Sequence, residues 1–183
     1  MSVRTRTLAG ILAICSLALV SGCGGASLKS AKADPHAVVH AYPAEGFSIA
    51  YGPQWQASVR AATTQTAWQL ELTQPYTSSS VSSEVMISIG VQPEHKYRDP
   101  HVFQSKYEQL LTEMGGTPQS VTLSGVPAVF WKGLTGYSVA LASGGRSYLL
   151  AGTIPSGGDT KEAPEVLAVL NSLKLLGTAA TGS

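Results

Sequence analysis

The chain has 183 residues with 12 Lys and Arg against 11 Asp and Glu, and its net charge of +1 offers no electrostatic footprint for nucleic acid. No Lys/Arg cluster stands ready to act as a polybasic membrane patch. Only 13% of the residues are charged while Ser, Thr, Gln, Gly and Ala are plentiful, a neutral polar composition more typical of exported proteins than of cytoplasmic enzymes.

Arg4 and Arg6 form a small basic head, Leu8 to Val20 is almost wholly apolar, and Ser21 and Gly22 follow. That is the layout of a secretory signal peptide, and a run of thirteen apolar positions is too short to span a bilayer comfortably. A cysteine then stands where the mature chain would begin. Val20-Ser21-Gly22-Cys23 resembles the bacterial lipobox, which implies a diacylglyceryl group on the Cys23 thiol and cleavage before it. Two acyl chains make an anchor where one is only marginally retained, at about 0.8 kcal/mol per buried methylene. The competing readings are a plain secretory peptide with an incidental cysteine and an uncleaved membrane helix. Cysteine usage favours the lipoprotein. Cys15 lies in the segment to be removed, so Cys23 is alone in the mature chain, with no internal disulfide and no thiol for catalysis or metal binding.

Removing residues 1–22 takes away Arg4 and Arg6 and leaves 161 residues of net charge −1, which suits one domain held by its own core. Residues 23–44 lack an apolar period and read as the lipidated cysteine and a flexible tether lifting the domain off the membrane. A short helix within 35–41 would place His36 and His40 on one face. The domain itself reads as 45–176, and 177–183 as a frayed polar tail.

Phe47, Ile49 and Tyr51 alternate with Ser48 and Ala50, predicting a strand over Gly46–Tyr51 that Gly52-Pro53 stops. Trp68, Leu70 and Leu72 alternate with Gln69, Glu71 and Thr73 in a second strand near Ala67–Thr73, the half-buried antiparallel pattern. A serine-rich connection over 74–83 leads to a third strand, Glu84–Val91, through Val85, Ile87, Ile89 and Val91. Asp99 as N-cap and Pro100 at the first helical position open the clearest helix. Phe103, Tyr107, Leu110, Leu111 and Met114 make its stripe, and Gly115-Gly116 ends it.

A meander follows over Gln119–Leu123, Ala128–Gly133, Tyr137–Ala142 and Ser147–Ile154, with turn signals at Ser124-Gly125, Thr135-Gly136 and Gly144-Gly145. Tyr148 to Ala151 is apolar on both sides, which places that strand centrally. Asp159 to Glu162 resembles a capping box opening a last helix, whose stripe is Val166, Leu167, Leu170 and Leu173. An antiparallel sheet covered by helices is the consistent answer.

Three stretches carry a family resemblance. Gly46-Phe47-Ser48-Ile49-Ala50-Tyr51-Gly52-Pro53-Gln54-Trp55 is similar to the opening F-x-I-x-Y-P-x-x-W of PsbP-like domains, with Pro53 one place later than the family's proline. Ser124-Gly125-Val126-Pro127-Ala128 resembles their G-x-P-A turn, and Ser172-Leu173-Lys174-Leu175 their closing S-L/F-K helix end. The resemblance implies an α+β fold, an α/β/α sandwich around a central antiparallel sheet of six to seven strands flanked by helices. Such domains include small bacterial lipoproteins of the LpqN and DcrB type and are chiefly non-enzymatic binding or assembly factors.

No catalytic motif appears: there is no G-x-S-x-G elbow, P-loop, G-x-G-x-x-G or H-E-x-x-H. Asp34, Asp99 and Asp159 are explained as turn or cap residues, which leaves few candidates to orient a triad. Catalytic residues, metal and cofactor are therefore all read as none. His36 and His40, with His95 or His101 as a third ligand, would need the tether to fold back. His95-Lys96-Tyr97-Arg98 with His101 is a small basic and aromatic cluster before the long helix; the plain alternative is an exposed loop. Trp68 reads as core, whereas Trp55 and Trp131, with Tyr97 and Arg98, are the binding candidates. Trp131 shares its strand face with Val129 and Gly133, and that glycine leaves space for a ring or a ligand.

The leading expectation is a non-catalytic accessory protein, anchored by Cys23 to the cell membrane on the extracytoplasmic side and supporting an envelope protein complex. The alternative is a carrier or sensor of a small hydrophobe or lipid between sheet and helix, since Gly, Ala and Ser on the second sheet faces can leave room. They equally let a helix pack closely. A hydrolase would require a serine outside any recognised elbow.

Overall fold

The computed structural model describes Leu28 and residues 32–63, 67–77, 82–94, 96–133, 135–155 and 162–177. Cys23, the capping box at 159–161 and the tail from 178 lie outside the described residues. The strands are β1 (Val38–Tyr42), β2 (Phe47–Tyr51), β3 (Gln56–Arg60), β4 (Trp68–Thr77) and β5 (Ser82–Pro93), then β6 (Gln119–Leu123), β7 (Val126–Lys132), β8 (Gly136–Ser143), β9 (Arg146–Thr153) and β10 (Lys174–Leu175). Helix α1 is Pro100–Glu113 and α2 is Glu162–Asn171.

Seven strands form one antiparallel sheet in the order β3-β4-β5-β9-β8-β7-β6. The doubly apolar β9 is its middle strand, as its composition predicts. Tyr148 and Leu150 point to one face and Leu149 to the other. The hairpins β6–β7 and β8–β9 turn on Ser124-Gly125 (φ 53° and 78°) and Gly144-Gly145 (φ 58° and 73°). Positive φ at both central residues is the two-residue turn whose twist matches its strands.

The alternating residues build a core on each face. Trp68, Leu70, Leu72, Ile87, Ile89, Phe130, Val139 and Leu150 face one side, where α2 packs with Val166, Leu167 and Leu170. Val129, Ala140 and Ala142 face the other, under Phe103, Tyr107 and Leu111 of α1. The Asp99 carboxylate accepts the His101 N–H at 2.8 Å, which is the cap expected from Asp99-Pro100. This architecture is the expected α+β arrangement of a seven-stranded sheet flanked by helices.

Several expectations need correction. Residues 38–42 form β1, antiparallel to β2, and not a helix; a β1-β2-β10 sheet joins α2 on its side of the molecule. The tether reading to residue 44 is therefore too long, and Leu28 is 2% exposed within the core cluster. The serine-rich connection is shorter than 74–83, because β4 continues to Thr77 and β5 begins at Ser82. Ser172-Leu173-Lys174-Leu175 closes the helix only at Ser172, whose N–H bonds the Ala168 carbonyl just past Asn171; Lys174 and Leu175 then leave it and pair with Ser48 and Phe47. Strand β3 was not expected, because all five of its residues are exposed and carry no apolar alternation.

The two sheets are tied at the turn Pro43–Glu45. Arg146 donates to the Ala44 carbonyl at 3.0 Å, and the Tyr148 hydroxyl to that of Glu45 at 3.0 Å. Gly46 closes this turn at φ 75°, where a Cβ would press on the Tyr148 hydroxyl and the Arg146 guanidinium.

Candidate functional site

The site is built on the α1 side of the large sheet. Phe103 and Tyr107, one helical turn apart, stack at 5.6 Å between ring centroids, and Tyr107 meets Trp131 of β7 at 5.9 Å. Gln104 donates to the Ala128 carbonyl at 3.1 Å, and the Ser120 hydroxyl bonds the Glu108 carboxylate at 2.5 Å, so α1 is pinned over β6 and β7. At the entry to α1, the Glu94 carboxylate accepts the N–H groups of Lys96 and Tyr97 at 2.7 and 2.8 Å. That fold of the loop sets the Tyr97 ring against the aromatic cluster, with the Lys96 ammonium 5.0 Å from its centroid.

Trp131 is half-buried at the margin of this cluster. From it the register runs sideways through Ser138, Ala151, Ser88, Glu71 and Ser58, each directly opposite the next across β8, β9, β5, β4 and β3. Directly opposed residues project to the same face, so a strip of small and polar side chains leads from the tryptophan to the sheet edge. At that edge Ser58, Val59, Arg60, Gln69 and Glu71 line an open groove of about 270 Å³. The strip offers hydroxyls, a carboxamide, a carboxylate and a guanidinium, which suit hydrogen bonding to a polar surface or an extended chain.

The residues singled out from the sequence separate. Tyr97 and Trp131 both pack on the α1 cluster, and Arg98 is exposed in the loop before α1. Trp55 is 5% exposed in the core cluster on the opposite face of the sheet, so it packs the core instead of sharing a surface with Trp131. His95 lies outside the described residues. His36 is in a turn whose Asp34 carboxylate accepts its N–H at 2.8 Å, while His40 stacks on Tyr51 at 3.9 Å. His36 sits in a turn and His40 in β1, so the shared helical face of the two histidines does not exist. Among the described residues, no group of three or more His, Cys, Asp or Glu side chains gathers as a metal site would require.

The Asp34 carboxyl is held below the usual carboxylate range by the His36 N–H first and by the Gln54 amide second. Arg60, Gln69 and Glu71 were missed as site residues. Their signal was the polar half of a strand alternation, which by itself reads as solvated surface.

No protein-family model and no curated protein sequence matches the chain. Among solved structures, the solution structure of cyanobacterial PsbP (CyanoP) from Synechocystis sp. PCC 6803 superposes with a TM-score of 0.51 at 7% identity, covering 85% of this chain and 98% of that one. The fold is PsbP-like. A crystal structure of a protein from Bacteroides thetaiotaomicron VPI-5482 also aligns, at 16% identity and a TM-score of 0.42, over 71% of this chain. The chain spans 45% of that protein's length. In the PsbP-like frame described here, α1 and the Trp131 strip occupy one face, while the β1-β2-β10 sheet and α2 lie on the other. No helix among the described residues is long and apolar enough to cross a membrane.

Proposed function

We propose that the protein is a lipid-anchored extracytoplasmic accessory factor that docks an envelope protein complex, without catalysis, through the strip from Trp131 to β3. The observation that carries the reading is that strip itself. It is a row of small and polar side chains, buried at Ser88 and opening at the β3 edge into a groove, beside a half-buried tryptophan on a sheet whose other face is packed. Trp and Arg at the margins of such a surface are the residue types that anchor protein interfaces. Its polar strands supply hydrogen bonds that a flat partner surface can meet. The lipobox-like Val20 to Cys23 supports the anchor, and the resemblance to PsbP-like domains supports the accessory role.

The carrier reading finds less support. The cleft between β2 and α2, lined by Ala50, Tyr51, Ala168 and Ser172, holds about 30 Å³, against the roughly 300 Å³ or more of a typical ligand pocket. Small residues are used here for close packing. Phe103 and Tyr107 sit over Ala140 and Ala142, and Gly152 lies under Val166.

Photo-cross-linking in the native envelope tests the docking face. A photoreactive residue at Ser138 should capture a defined partner, and Glu71→Arg should abolish that product while leaving the melting temperature within the range of a surface change. Equal capture from Gln109, on the outer side of α1, would sink the assignment. Cys23→Ala should lose both acyl label and membrane retention; retention of both would remove the anchor from the reading.

A further inference from the structure

Leu28 stands five residues after Cys23, and its side chain is buried in the core cluster. From Ala33 to Ala37 the chain lines a cleft against Tyr51, Trp55 and Val169. Gln54 donates to the second oxygen of Asp34 at 3.1 Å, and the Ala37 N–H bonds the Asp34 carbonyl at 3.1 Å. The chain then passes into β1, where Val38 pairs with Tyr51. Leu28, Asp34 and β1 are each held to the folded body.

We infer that the anchored domain is held against the bilayer by a short leash, so that the body works in the membrane-proximal layer with the arm-bearing β2 and α2 side nearest the attachment point. This rests on the acylation of Cys23 proposed above. The argument is covalent reach. Five residues span at most about 18 Å, whereas a free tether through residue 44 would reach roughly 75 Å. A packed domain of roughly 140 residues has a radius of gyration near 14 Å. The leash therefore lets the body stand off by about its own radius and no further.

The test uses the whole mature chain from Cys23, coupled through its single thiol to a maleimide phospholipid in phosphatidylcholine vesicles doped with dansyl-phosphatidylethanolamine. Energy transfer from the protein's tryptophans to the dansyl headgroups reads the stand-off, since Trp55 lines the same cleft as the arm. A Gly/Ser insert of about 20 residues between Gly25 and Ala26 adds roughly 25 Å of average reach and should cut transfer by about twofold or more. Leu28→Asp, which releases the first attachment, should lower transfer in the same direction while the circular dichroism spectrum stays folded.

Transfer that the insertion leaves unchanged overturns the inference, and so does transfer indifferent to Leu28→Asp. Chemical coupling keeps this result separate from natural acylation. A membrane-isolated protein whose mass shows no lipid on Cys23 would refute the functional reading, while the reach measured on vesicles would stand or fall by itself.

Discussion

Ser172 completes a sheet edge with a side chain. β10 pairs with Phe47 and Ser48 only, so Ala50 lies beyond its reach on that side of β2. The Ser172 hydroxyl accepts the Ala50 N–H at 2.9 Å and lies 2.7 Å from the Val169 carbonyl oxygen, joining β2 to the end of α2. Ser172→Ala should leave that N–H without its partner and cost about 1–2 kcal/mol in denaturant unfolding. The buried phenols set a second expectation. Burial raises Tyr137 and Tyr148 above the ordinary value near 10, with Arg146 opposing part of the rise at Tyr148. Burial and then the Tyr42 hydroxyl push Tyr51 up as well. Each phenol stays protonated in the fold while the unfolded chain ionises first, so the unfolded state binds fewer protons as pH rises. Stability should be indifferent to these groups below about pH 10 and fall above it as pH climbs toward the folded values. Tyr137→Phe, measured by urea unfolding across that range, should flatten the decline.

Helix α2 approaches β9 closely because Gly152 has no side chain: a Cβ there would collide with Val166 Cγ1. Gly152→Ala should therefore destabilise by about 1–3 kcal/mol through overpacking, and adding Val166→Ala should recover part of it, a coupling read from a double-mutant cycle. The elements that could be read from the chain are those whose signals are local. α1 shows its cap, its proline, its apolar spacing and its closing glycines. β2, β4, β5 and the meander show alternation because one row of each strand is buried. β1 and β3 show none. Val38 and Val39 are 60% and 67% exposed and β3 is exposed throughout, so pairing makes β3 a strand, and β1 adds to its pairing only the packing of His40 and Tyr42. Hydrogen bonds to a distant strand leave no imprint on local hydrophobic order.

At the scale of the molecule, α1 carries the chain from β5, inside the sheet, to β6 at the far edge, and the meander returns until β9 pairs with β5 from Met86–Thr153 to Pro93–Arg146. That closing ladder joins the two halves of the sheet and places the polar row from Trp131 to Ser58 in register across six strands. The sequence by itself determined the α+β class, the turns, the apolar faces and the central place of β9, because burial periodicity and turn chemistry are written residue by residue. It also set Cys23 apart as the lone cysteine of the expected mature chain. Only the tertiary structure decided which polar residues share a surface, that Trp55 and Trp131 lie on opposite sides, and that the N-terminal arm belongs to the core through Leu28. Those facts depend on strand order and layer packing between residues far apart in the chain, which no local pattern encodes.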